Sequence, residues 1–195
     1  MCKIERRVVF GLIICLLLVS CRAVPEMVRI KMDYTPTNMV PPPRGLPDIS
    51  IFFIPLEDKR KKPDQIGENK EKPKIVPVKT DPGEVVSFME KAFKREFGRA
   101  GLNVLDGKEK ANRIFQISLQ NLWVEERNTY QASVVANVKV QDQSGKILVS
   151  QGFRGLSTRW GTSYNENEYR KALSDAVVDL LKNMFNDSAF MNSLK

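Results

Sequence analysis

The sequence predicts an α+β domain: a mostly antiparallel sheet with two long helices packed on one face, a two-layer sandwich. Three observations carry this. Tyr130, Ala132, Val134, Ala136, Val138 and Val140 alternate with polar neighbours, the period of a half-buried strand. Val85, Met89, Ala92, Phe93 and Phe97 recur at helical spacing, and so do Tyr169, Ala172, Leu173, Ala176, Val177, Leu180, Leu181 and Met184. Pro, Gly and Asp clusters punctuate the stretches between them. The predicted order is β, β, α, β, β, β, β, α.

Taken in turn, 48–56 (DISIFFIPL) reads as a buried strand between Pro47 and Pro55. The charged stretch that follows, EDKRKKPDQIGENKEK, reads as a loop. Residues 75–78 read as a short extended piece whose Pro77 places it at an edge. Asp81-Pro82-Gly83-Glu84 predicts a helix start, with Asp81 as N-cap, Pro82 in the first turn and Glu84 closing a capping box. Gly101 ends that helix, and 102–105 reads as a short strand. In 113–125, Phe115, Ile117 and Leu119 share one face, but Leu122 and Val124 fall on the other parity, which predicts a bulge or an end near Asn121. A turn at 141–145 (QDQSG) leads into a strand over 146–158 with Ile147, Val149 and Phe153 on one face. The last helix runs over 165–185, with Ser163 and Glu166 as a capping box, and 187–194 adds a short turn that docks Phe190.

The N-terminus has a different character. Lys3, Arg6 and Arg7 precede an apolar run of about a dozen residues, Val8 to Val19, too short for a spanning helix of ~20. The run ends in Leu18-Val19-Ser20-Cys21, which resembles a bacterial lipobox. That resemblance implies a signal peptide over 1–20, cleavage before Cys21, and acylation of the Cys21 thiol and of the new amino group. A thiol suits this chemistry because its thiolate is the one strong nucleophile there. Two or three acyl chains anchor durably, at ~0.8 kcal/mol per buried CH₂. Arg22 follows the cysteine instead of an aspartate, which favours the outer membrane, periplasmic side. The competing reading is an uncleaved anchor helix with an incidental cysteine. Residues 21–47, with Pro25, Pro36, Pro41, Pro42, Pro43 and Pro47, read as a lipid-anchored tether in which 28–32 adds an edge strand, and 48–195 reads as a single periplasmic domain.

Composition narrows the chemistry. Of three cysteines, Cys2 and Cys15 fall in the signal peptide and Cys21 is the lipidation site. The chain has no histidine. A mature domain without Cys or His has no zinc site and no His-based acid–base catalysis, so no metal, cofactor or catalytic residue is expected. Glu125-Glu126 is an adjacent carboxylate pair, but on a strand the two point to opposite faces. Loss of Lys3, Glu5, Arg6 and Arg7 takes the net charge from +8 to about +6. The basic residues are dispersed, densest at 60–62 and 70–74. A nucleic-acid partner is not expected; dispersed charge of this kind serves solubility and weak attraction to a membrane surface.

The order of these features resembles the YajG-type family of uncharacterised bacterial lipoproteins. The resemblance rests on the lipobox at Cys21, Asp58-Lys59-Arg60 after the first strand with Ile66-Gly67 downstream, the turn RAGLNV at 99–104, and the three strands and helix from Ile114 to the tail FMNSLK. The chain departs from the family in the more charged Lys61 to Lys74 stretch. The resemblance implies this fold and an envelope location, and no activity.

Asp58, Arg60 and Gly67 form one candidate partner-binding group. Its structural alternative is a loop in which Arg60 pairs with Asp58 and Gly67 supplies a positive φ. Trp123 and Tyr130 flank the hairpin tip EERN, and Trp160 lies between the last strand and helix; each is an interface anchor or a core residue. The leading expectation is a non-enzymatic lipoprotein, held to the membrane through the lipid on Cys21, that binds a protein partner in an envelope assembly. Its oligomeric state is open. The alternatives are a module for wall polymer or anionic lipid, using the basic loop from Arg60 to Lys74, and an enzyme working with carboxylates or lysine alone.

Overall fold

A computed structural model describes residues 25–43, 46 and 48–195; the signal peptide and Cys21 lie outside them. The fold is organised around one strand. β7 (Arg113–Glu126) is 14 residues long, and strands pair along both of its edges. On one edge lies β8 (Tyr130–Gln141), paired antiparallel from Glu126↔Tyr130 to Ile114↔Gln141. β9 (Ile147–Arg159) continues the meander beyond it. On the other edge, β2 (Ser50–Phe53), β3 (Glu57–Asp58) and β4 (Gln65–Asn69) follow one another along β7, all parallel to it. β5 (Val76–Lys79) pairs antiparallel with β4, β1 (Val28–Arg29) parallel with β5, and β6 (Asn103–Leu105) parallel with β2.

The sheet is therefore mixed, and the expectation of a mostly antiparallel sheet is corrected. Five of the eight strand pairings are parallel. The physical reason is a crossover. The chain leaves β2 and returns to β6 and β7 only after α1 (Glu84–Arg99), and a return through a helix delivers parallel strands. The charged stretch read as a loop holds β3 and β4. Its apolar content is small, but Ile66, Gly67 and Asn69 are buried there.

The period-two and period-3.6 patterns place their residues as expected. The bulge falls between Leu119 and Asn121, so Phe115, Ile117 and Leu119 before it, and Leu122, Val124 and Glu126 after it, all face inward. Both long helices, α1 and α2 (Glu166–Asn186), pack on this inner face, joined by the short α3 (Ser188–Ser193). Phe97 of α1 meets Phe53, Phe115, Phe185 and Phe190, several at near-perpendicular angles, each pair worth ~1 kcal/mol beyond its burial. Gly155 of β9 lets α2 lie flush: a Cβ there would overlap the carbonyl of Ala176 and the amide of Leu180.

Helix ends differ from expectation in two places. α1 starts from Gly83 in the left-handed region, φ 82°, while Asp81 pairs with Arg29 and Glu84 accepts from Met32 N at 2.9 Å and Thr80 Oγ1 at 2.7 Å. α2 is capped by Asn165, whose side chain accepts from Asn167 N, and not by Ser163 with Glu166. The C-terminus of α1 is as expected. Gly101 has φ 90°, Gly101 N donates to Gly98 O and Leu102 N to Phe97 O, the Schellman pattern.

Residues 28–40, read as part of a tether, pack as a strap across the helix layer. Ile30, Met32, Tyr34 and Val40 are buried. Tyr34 stacks edge-on with Phe88 of α1, Thr35 N donates to Ser174 of α2, and Asp175 accepts from Thr37 N and Oγ1 at 2.7 Å each. Three layers result: strap, helices and sheet. Among the described residues, no helix packs on the outer face of β7, β8 and β9.

Candidate functional site

Asp58 and Arg60 form a closed clamp. Arg60 Nε donates to Asp58 Oδ1 at 2.9 Å and Nη2 to Oδ2 at 2.7 Å, a two-pronged pair. The guanidinium also donates to the carbonyls of Pro63 (2.7 Å) and Gln65 (3.2 Å). The side chains are only 5% and 14% exposed, and four of the five guanidinium N–H groups are used within the β3–β4 connection. Gly67 is not a positive-φ residue; those glycines are Gly83, Gly101 and Gly145. It is required for close approach, because a Cβ at 67 would overlap the carbonyl oxygen and side chain of Val124 on β7. Asp58 and Arg60 meet and Gly67 lies against Val124 instead; each helps place a strand along β7.

Trp123 and Tyr130 are not neighbours in function. Tyr130 is buried on the inner face; its hydroxyl donates to Thr162 O and accepts from Asn165 N, tying the hairpin to the start of α2. Burial pushes its hydroxyl pKa well above the ordinary tyrosine value. Tyr169, stacked edge-on against it at 4.8 Å, is raised in the same direction by burial and by its bond to Glu126. Glu126 is 1% exposed, and its carboxylate accepts from Tyr169 Oη, Asn69 Nδ2 (2.5 Å) and Tyr164 N (3.1 Å). This network locks β4, β7 and α2 together at one end of the sheet. Sequence reading placed Glu125 and Glu126 on opposite faces, as they are, but missed the network. The signal was available: after the bulge at Leu119/Asn121, Glu126 falls on the buried parity.

Trp123 lies on the outer face, half-buried, in register with Ser133 of β8 and through it with Leu156 of β9. Leu156 is 51% exposed and Trp160, just past the end of β9, is 78% exposed. The core alternative for Trp160 is thus excluded; Trp123, Val135 and Leu156 put apolar surface on the outer face, and Trp160 is exposed just past the end of β9. Beside Trp123 opens a groove of about 470 Å³ lined by Lys59, Arg60, Lys61, Lys62, Gln65, Gln120 and Asn121. A second hollow of about 250 Å³, lined by Phe52, Phe53, Leu56, Glu90, Phe93 and Lys94, lies between β2 and α1. Among the described residues no cluster of His, Cys, Asp and Glu could hold a metal ion, and no helix is long and apolar enough to cross a membrane.

No curated protein matches the chain. The crystal structure of protein XCC0632 from Xanthomonas campestris, of the family designated DUF330, superposes with a TM-score of 0.54 at 12% identity, covering 86% of this chain and 94% of that one. A Caulobacter crescentus protein provisionally described as a lipoprotein gives 0.43 at 10% identity, over 66% and 89%. PelC of Paraburkholderia phytofirmans, which forms a dodecamer, gives 0.39 at 12% identity, over 70% and 87%. At these identities the likeness to XCC0632 is one of fold. The model of the family described as "Uncharacterized lipoprotein" matches residues 50–195, from β2 to the C-terminus, and the chain belongs to that family, the YajG-type lipoproteins that the order of its motifs resembles.

Proposed function

We propose that this lipoprotein is anchored in the outer membrane through Cys21 and binds a protein partner with the uncovered face of β7, β8 and β9. One observation carries the reading. Trp123 and Leu156 share a face that no helix among the described residues covers, with Trp160 exposed just past the end of β9, although the same strands bury a full aliphatic core on their other side. Aromatic anchors on a flat, otherwise polar sheet are what a docking surface requires. The strap complements it: residues 28–40 bind the helix layer, on the opposite side, so a lipid a few residues upstream leaves the sheet face turned away from the strap. The domain acts by binding and not by catalysis; the buried carboxylate Glu126 already has its donors within the fold.

The test is position-specific photo-crosslinking in cells. A crosslinker at Leu156 or Trp160 should capture one partner that a crosslinker at Asn186, on the exposed end of α2, does not. Equal capture from all three positions, or none from 156 and 160, would overturn the reading. Anchoring is tested separately: Cys21→Ala should leave uncleaved precursor without acyl label, and normal labelling would sink it.

A further inference from the structure

The groove beside Trp123 adds lysines and amides that the protein-docking reading, which shares Trp123, does not use. We propose that it binds an acidic oligosaccharide, with a sugar ring on the Trp123 face and its carboxylate toward Lys61 and Lys62. The expectation of one long basic loop does not survive the fold, because the loop is divided. Lys70 pairs with Glu125 at 2.5 Å and Glu68 at 3.3 Å, Lys59 pairs with Glu57 at 3.0 Å, and Arg60 is closed on Asp58. Lys61 and Lys62 are exposed, line the groove, and form no ion pair among the described residues, Lys62 having Asp64 as an acidic neighbour beyond ion-pair distance. Two cations outside any ion pair thus line one concave site.

The uncharged lining suits a hydroxyl-rich ligand. Gln65 Nε2 donates to Gly67 O, Gln120 Nε2 to Ser118 O, and Asn121 Nδ2 to Ser133 Oγ. Each amide keeps a second N–H and its carbonyl oxygen, so the lining offers both donors and acceptors, as sugar hydroxyls require. A tryptophan, amides that donate and accept, and two lysines match a ring that is apolar on one side, rich in hydroxyls at its rim and negatively charged at one substituent. At about 470 Å³ the groove has room for a short oligosaccharide. It lies at the β3–β4 side of β7, whereas Leu156 and Trp160 are on β9 and just beyond it; Trp123 is common to both sites, so Lys61 and Lys62 report on the groove and Leu156 on the docking face.

The test uses the full-length lipoprotein in detergent with Trp160→Phe, which leaves Trp123 as the single tryptophan. Oligogalacturonate should perturb Trp123 fluorescence saturably, and maltotriose far more weakly. Lys61→Ala with Lys62→Ala should weaken binding about tenfold or more, and raised salt should weaken it further. Both lysines are exposed, so the double variant keeps the fold, and Leu156→Ala should leave this binding intact. A flat titration overturns the proposal. Equal response to inorganic phosphate reduces the site to simple anion attraction, and response to phosphatidylglycerol vesicles alone makes it a lipid-surface contact; either result overturns the glycan assignment while leaving the docking face to its own test.

Discussion

The two edges of β7 are held by different physics. The β8 edge is a hairpin: twelve register pairs from strands adjacent in sequence, needing only alternation and a short turn. The other edge is assembled from β2, β3 and β4, which together supply eight register pairs and arrive from the far side of a helix crossover or a charged loop. Short parallel segments gain little from their own ladders. Each is therefore fastened by side chains: Asp58–Arg60 at β3, Gly67 at β4, and the Asn69–Glu126–Tyr169 network where β4 ends. The lesson is that one edge is robust by pattern and the other depends on single residues.

The largest expected break in that comparison is Gly67→Val. The new side chain would have to displace the Val124 carbonyl, forcing β4 off β7 and β5 and β1 with it. A loss of ~4 kcal/mol or more is expected, enough to unfold a domain of ordinary stability. Urea denaturation measures it; a variant with an unchanged midpoint would show that β4 is not held by close approach. Asp58→Ala comes next. It leaves a guanidinium that is 5% exposed without its counter-charge, at a cost of about 3 kcal/mol. Replacing both members, Asp58→Leu with Arg60→Met, should recover most of this. A double variant as unstable as the single one would mean that the backbone contacts of Arg60, and not the ion pair, secure the loop.

The same contrast explains what was legible in the sequence. β7, β8, β9, both long helices and the docking of Phe190 follow from periodicity over many residues, and the change of phase near Asn121 announced the bulge. β3 and β4 were not legible. Two residues show no period, and Gln65–Asn69 offers one aliphatic side chain among polar ones, so the pattern of a charged loop prevailed. The strap failed for a related reason. Its prolines suggest an extended spacer, and it is extended, but Ile30, Met32, Tyr34 and Val40 are buried against helices that no local pattern could bring near. Of the candidate site residues, Asp58 and Arg60 pair with each other. Gly67 has a structural role for a different reason, Tyr130 is core, and Trp123 and Trp160 reach the surface because the outer face of the meander is left open.

A smaller effect sharpens the comparison through pH. Glu84 accepts from Met32 N and Thr80 Oγ1, and these bonds hold its carboxyl below the ordinary 4.5, the backbone donor contributing most. A depressed folded-state pKa stabilises above the unfolded value and is lost as pH falls through the folded one. The strap and its strand β1 should therefore loosen below about pH 4.5 before the β7–β8 hairpin does. Hydrogen exchange at Met32 and at Val138 resolves the two. In Glu84→Gln, Met32 exchange should lose this acid dependence; if it persisted, the strap would be held by its apolar contacts alone.

The smallest effect is expected where the hairpin edge is most exposed. Asp142 organises the β8–β9 turn by accepting from Ser144 N (2.8 Å), Ser144 Oγ (2.6 Å) and Lys146 N (3.0 Å), and these bonds hold its carboxyl below the ordinary range, the Ser144 hydroxyl first. All of this is at the surface, beyond the last register pair of β8 with β9. Asp142→Ala should move the urea midpoint far less than Asp58→Ala does, though both remove one aspartate bonded to residues close by in sequence. The difference is that Gly145, with φ 85°, and the ladder behind it still set the turn, whereas nothing behind Asp58 can neutralise Arg60. Equal losses from the two substitutions would show that pattern alone does not secure the meander, and the contrast between the edges of β7 would fall with it.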